Sequence, residues 1–190
     1  GRWIGAVGSM APKPEGGTRL LMGSSVTRAW LMDLAIVDGQ PTALLSERYS
    51  TGGNYGHRYH WARRNTNGTW SVQRLCEGGI PLYPVELDYS GLGTIDRSTP
   101  NRVVVSTTVN PQTGSPLRSA ADGRLHWELW EGARPGGTGS WKWSPITANS
   151  TSDQILPIAT VTSSGKALAW MRGTYTDFRS FNTQIVLRRS

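Results

Sequence analysis

Residues 57–74, HRYHWARRNTNGTWSVQR, and residues 124–150, RLHWELWEGARPGGTGSWKWSPITANS, share one layout. Each opens on an aromatic run that starts with a His next to aromatic residues. A Gly-containing turn follows, and then a Trp opens a second run rich in β-formers. The two stretches lie about 70 residues apart, and such recurrence has to be weighed before any fold is named. Both read as the second half of a four-stranded antiparallel unit.

Working outward, the first unit begins with LMDLAIVDG (31–39). Asp38 and Gly39 make a tight hairpin signal, and PTALLSERY (41–49) follows. HRYHWARR (57–64) and WSVQRLC (70–76) complete four consecutive strands. The second unit runs from SGLGTIDRS (90–98) through RVVVSTTV (102–109) to RLHWELWEG and WKWSPIT. A third starts at ILPIATVTSSG, continues with KALAWMRGTYT (166–176) and ends with TQIVLRRS, one strand short of four. Residues 2–8 and 18–24 read as two further short strands. No strong helical period is visible. The expected fold is therefore all-β: a β-propeller with three to four four-stranded blades in view. The blade-like units span about 31–76, 90–148 and 155–190. Propellers have four to eight blades, so the ring is expected to be partial, or closed by N-terminal strands or a second chain. A β-sandwich is the alternative architecture.

The bulk composition limits the function classes. Hydrophobic residues make up 37% and charged residues 17% of 190 residues, which suits one folded domain. Nine Trp residues fit a layered β core or a sugar-stacking surface. Net charge is +7, and 17 of the 20 basic residues are Arg. Arg pairs with planar anions, so the expected partner is an acidic polysaccharide or oligosaccharide. The arginines are spread along the chain and not blocked, which argues against nucleic acid. No run reaches the ~18–20 apolar residues of a membrane span, so no membrane partner is expected. Cys76 is alone, which leaves neither an internal disulfide nor a Cys-based zinc motif. The chain starts on Gly without a signal peptide, which points to a processed chain or a piece of a longer one. Asn67 and Asn149 head glycosylation-type triplets.

The runs GHRYHWARRNTNGTWSVQRL, LDYSGLGTIDRSTPNRVVVSTTVNPQTGSPL, ADGRLHWELWEG, SWKWSPITANST and ALAWMRGTYTDF resemble the BNR-repeat propellers of bacteria. That family is sialidase-like in architecture and adjoins polysaccharide lyases acting on uronate polymers. The sialidase Asp-box is degenerate here: TNGTW and GGTGSW keep Gly and Trp but not Asp. The resemblance implies a carbohydrate-active propeller, secreted or periplasmic, with lyase-type β-elimination ahead of a non-catalytic glycan-binding role.

Uronate elimination needs a cation to neutralise the carboxylate, a base for the C5 proton and an acid for the leaving oxygen. His57, Tyr59, His126 and Arg172 are the catalytic candidates; Arg58, Tyr89, Glu128 and Tyr175 are the substrate-binding ones. Alternation places His57 and Tyr59 on one strand face, with Arg58 and His60 on the other. His126, Glu128 and Trp130 likewise share a face. Structural readings compete: a His on such a strand is more often a hydrogen-bonding residue than a catalyst. Trp127, Trp141 and Trp143 read as packing between units. The acids form no recognisable glycosidase pair. His57 and His60 point to opposite faces and cannot chelate together unless a bulge intervenes, and no metal and no cofactor is expected. No G-x-S-x-G motif supports a serine hydrolase.

Overall fold

The computed structural model describes residues 27–99, 101–162 and 165–189. The strands expected at 2–8 and 18–24 lie outside them. The described chain is all-β, in three antiparallel meanders. The first sheet contains β1 (Arg28–Val37), β2 (Gln40–Thr51), β3 (Asn54–Arg64) and β4 (Trp70–Gly79). The second contains β5 (Gly93–Ile95), β6 (Arg102–Thr107), β7 (Glu128–Ala133) and β8 (Lys142–Pro145). The third contains β9 (Asp153–Thr162), β10 (Gly165–Asp177) and β11 (Ser180–Arg189). Strand order follows chain order in every sheet. The two recurrent stretches thus supply the third and fourth strands of the two four-stranded sheets.

Local chemistry sets these elements. The β1–β2 hairpin turns on Asp38 (φ 48°) and Gly39 (φ 70°), both left-handed, as a two-residue turn matched to strand twist requires. Val103, Val104 and Val105 alternate between faces on β6. Val103 and Val105 pack toward the first sheet with Leu44, Tyr59, Trp61, Trp130 and Trp141. Val104 packs the other way with Leu129 and Trp170. The middle sheet is therefore buried on both faces, which explains its near-continuous apolar strands. Trp141 meets Trp61 edge-on at 6.1 Å, joining the two recurrent stretches across the sheet interface. Truncating a buried Trp such as Trp61 costs about 3–5 kcal/mol.

The first strands of the three sheets meet along one side, β1 against β5 and β5 against β9. A register shift in β1 between Leu31 and Asp33 lets the Asp33 side chain face β5. There Asp33 Oδ2 accepts from the Thr94 hydroxyl (2.9 Å) and the Ile95 N–H (2.8 Å).

The outer two sheets each carry an apolar row on the face turned away from the middle one. In the first sheet Leu34, Ala43, Ala62 and Val72 are in register. In the third, Ile158, Ala169 and Leu187 are. Leu34, Ile158 and Leu187 are all more than half exposed.

Candidate functional site

Five aromatic rings form a continuous row at the end of the molecule where β1 begins. Trp30 stacks on Tyr89 (5.7 Å, 23°), and Tyr89 stacks on Tyr83 (5.7 Å, 19°). Tyr83 meets Tyr175 at 5.8 Å, and Tyr175 stacks on Phe181 at 5.9 Å. Trp30 comes from β1, Tyr83 and Tyr89 from the loop between β4 and β5, Tyr175 from β10 and Phe181 from β11. The row thus spans from the first sheet to the third. Tyr83 is buried, whereas Tyr89 is 38% and Phe181 58% exposed, so the flanks of the row are open to solvent.

The loop that carries Tyr83 and Tyr89 is pinned by named contacts. Leu82 N–H donates to the Tyr89 carbonyl at 2.7 Å. Asp88 pairs with Arg28 (2.9 Å) and with the buried Arg48 (2.8 Å). His57 closes the set: Nε2 donates to the Leu87 carbonyl (3.0 Å), and Nδ1 then accepts from the Ser46 hydroxyl (3.1 Å). Gly79, at φ 88°, leaves β4 so close to Thr108 that a Cβ there would collide with its hydroxyl. Ile80 N–H donates to that same hydroxyl at 3.2 Å.

Burial pushes the Tyr83 hydroxyl up to about 12, with Tyr89, Tyr175, Glu86 and Asp177 adding to the shift, so it is a protonated donor at neutral pH. His57 is brought down to about 4, chiefly by burial, and is neutral in the fold.

Two of the eight candidates from the sequence, Tyr89 and Tyr175, belong to this row. His57 stands behind it as a positioning residue. Tyr59 is wholly buried, and its hydroxyl donates to the Ser106 carbonyl at 2.7 Å. His126 is held by two carboxylates, Nε2 to Asp122 (2.8 Å) and Nδ1 to Asp153 (3.3 Å), which leaves no ring nitrogen free. Both oxygens of Glu128 are engaged by Ser150, from its N–H (2.7 Å) and its hydroxyl (2.9 Å). Arg58 lies over the Tyr49 ring at 3.8 Å and beside Glu77, on the outer face of the first sheet. Arg172 is exposed and pairs with Gln184: with that amide turned to satisfy both groups, its oxygen accepts from Nε (2.9 Å) and Nη2 (2.6 Å). Trp30, Tyr83 and Phe181 were missed by sequence reasoning. Their only signal was aromatic type at strand ends and in the loop Ile80–Leu92.

Among the described residues no group of three or more His, Cys, Asp and Glu side chains could hold a metal ion. No helix among them is long and apolar enough to cross a membrane. No family model, no curated protein and no solved structure matches the chain.

Proposed function

We propose that this chain is a glycan-recognising module of propeller type that receives an acidic, uronate-containing saccharide on its aromatic row. The observation that carries the reading is the continuous row from Trp30 to Phe181, with open flanks and phenolic hydroxyls along it. The inner rings take up one another's faces, so the exposed ring edges and the open side of Phe181 offer apolar contact to sugar rings, and the phenolic hydroxyls supply hydrogen bonds beside them. The net charge of +7 favours an anionic saccharide.

Binding is favoured over β-elimination because the imidazoles of His57 and His126 and the hydroxyl of Tyr59 are all committed to internal partners. Three meandering sheets packed face to face, with their first strands adjoining, support the blade reading. The exposed apolar rows on the two outer sheets support completion of the ring by further blades or a second copy.

A glycan array followed by calorimetric titration tests the binding reading, and absorbance of unsaturated products tests elimination. Saturable binding of uronate oligosaccharides without turnover is expected. Absence of binding to any saccharide sinks the reading, and turnover would restore the lyase.

A further inference from the structure

A second site lies at the opposite end of the sheets, where β1 ends. A cavity of about 780 Å³ opens there between the first and second sheets. Its walls include Trp61, Arg63, Gln73, Asn101 and Arg134.

Arg134 is a half-buried cation without a carboxylate partner among the described residues. Its guanidinium lies 4.9 Å from the Trp61 ring and 5.4 Å from the Trp141 ring. Nη1 donates to Gln73 Oε1 (2.5 Å) and Nη2 to Asn101 Oδ1 (3.0 Å), both neutral acceptors. Its Nε is buried and has no hydrogen-bond partner among the described residues. Arg63 faces the same cavity. It donates to the Val37 carbonyl at 3.2 Å, and its one acid among the described residues is Asp38, largely exposed and 3.5 Å away. Burial, and then the charge of Arg63, lower the pKa of Arg134, which marks the positive potential of the cleft. Two guanidinium groups drawn toward one cleft with so little counter-charge are costly unless an anion neutralises them.

We propose that this cleft is an anion-binding site, in which Arg134 and Arg63 together take an oxyanion group such as a carboxylate or a sulfate. Planar guanidinium forks suit such groups, and the two Trp rings hold Arg134 in one orientation. The site is independent of the aromatic row, at the other end of the sheets.

Tryptophan fluorescence reads this site directly, because Trp61 and Trp141 flank Arg134. The whole chain is titrated with sodium sulfate, sodium phosphate and sodium glucuronate at ionic strength held constant with chloride. A saturable change is expected with at least one of them, and which one responds tells an inorganic oxyanion from a sugar acid. Arg134→Gln is expected to weaken it at least tenfold and Arg63→Gln about fivefold. If Arg134→Gln fails to fold, Arg63→Gln decides, since it leaves the Arg134 contacts with Trp61 and Trp141 in place. No saturable response beyond chloride, or unchanged affinity in the variant that folds, overturns the site.

Discussion

The Thr94 hydroxyl donates to Asp33 Oδ2 at 2.9 Å and accepts from the Ala159 N–H at 3.2 Å. One side chain of β5 thus ties β1 to β9. Asp33 adds the Ile95 N–H (2.8 Å) and Arg97 Nη2 (2.7 Å), and Arg97 Nη1 reaches the Ala159 carbonyl at 3.2 Å. The three sheets are joined at their first strands by this small polar knot and, further out, by apolar packing.

Removing the carboxylate leaves four donors, the Leu34 and Ile95 N–H groups, the Thr94 hydroxyl and Arg97 Nη2, without this acceptor at a partly buried junction. Asp33→Ala is therefore expected to lower stability by about 2–4 kcal/mol, and Thr94→Val by about 1–2 kcal/mol. Denaturant midpoints at unchanged slope check both. Loss of less than 1 kcal/mol in Asp33→Ala would show that contacts other than this knot hold the sheets together.

His57 predicts an acid-side loss of stability. Its folded pKa of about 4 lies below the unfolded value of 6.5, so the unfolded chain binds the proton more readily. The contribution is whole above pH 6.5 and fades as pH falls to about 4, by about 3 kcal/mol in total. His57→Gln should flatten the stability profile in that window. An equal slope in the variant would assign the acid sensitivity to other groups.

His126 carries the opposite sign. Burial works against its charge, but the hydrogen bonds to Asp122 and Asp153 outweigh burial and raise its pKa. A raised folded pKa stabilises fully below pH 6.5, and the gain is lost as pH rises through the folded value. Thermal midpoints from pH 6 to 9 should fall more steeply for the wild type than for His126→Gln. Parallel curves contradict this.

Gly79 tests the loop beneath the aromatic row. Its positive φ and its approach to Thr108 both exclude a side chain. Gly79→Ala should cost about 1–3 kcal/mol and displace the loop carrying Tyr83 and Tyr89. Circular dichroism melting and near-ultraviolet signals from the stacked rings report the two effects separately.

The strands were legible because alternation and turn chemistry are local. The Asp38–Gly39 hairpin, the valines of β6 and the two recurrent Trp stretches all showed in sequence. Some bounds shifted for tertiary reasons. The run expected to begin at Arg124 becomes strand at Glu128, because the Trp127 N–H turns to the Asp153 carboxylate (3.2 Å). The strand expected over 90–98 shortens to Gly93–Ile95, after Leu92 takes φ 64°. The sites were far less legible. Tyr83 and Tyr175 meet across 92 residues, and Arg63 and Arg134 across 71. Register shifts at Leu31/Asp33, Ala169/Met171 and Tyr175/Asp177 decide which face each side chain takes. Alternation counted along one strand cannot locate them. His57, Tyr59, His126 and Glu128 were picked by residue type, whereas their partners Leu87, Ser106, Asp153 and Ser150 come from distant segments.

Glycan recognition by the aromatic row is tested most directly by calorimetric titration of uronate oligosaccharides into three proteins: the wild type, Tyr89→Ala and Phe181→Ala. Losing one stacking ring worth about 1.4 kcal/mol weakens binding about tenfold. Saturable binding to the wild type and roughly tenfold weaker binding to each variant are expected, with each variant still unfolding cooperatively. No binding to the wild type, or equal affinity in all three proteins, would contradict it.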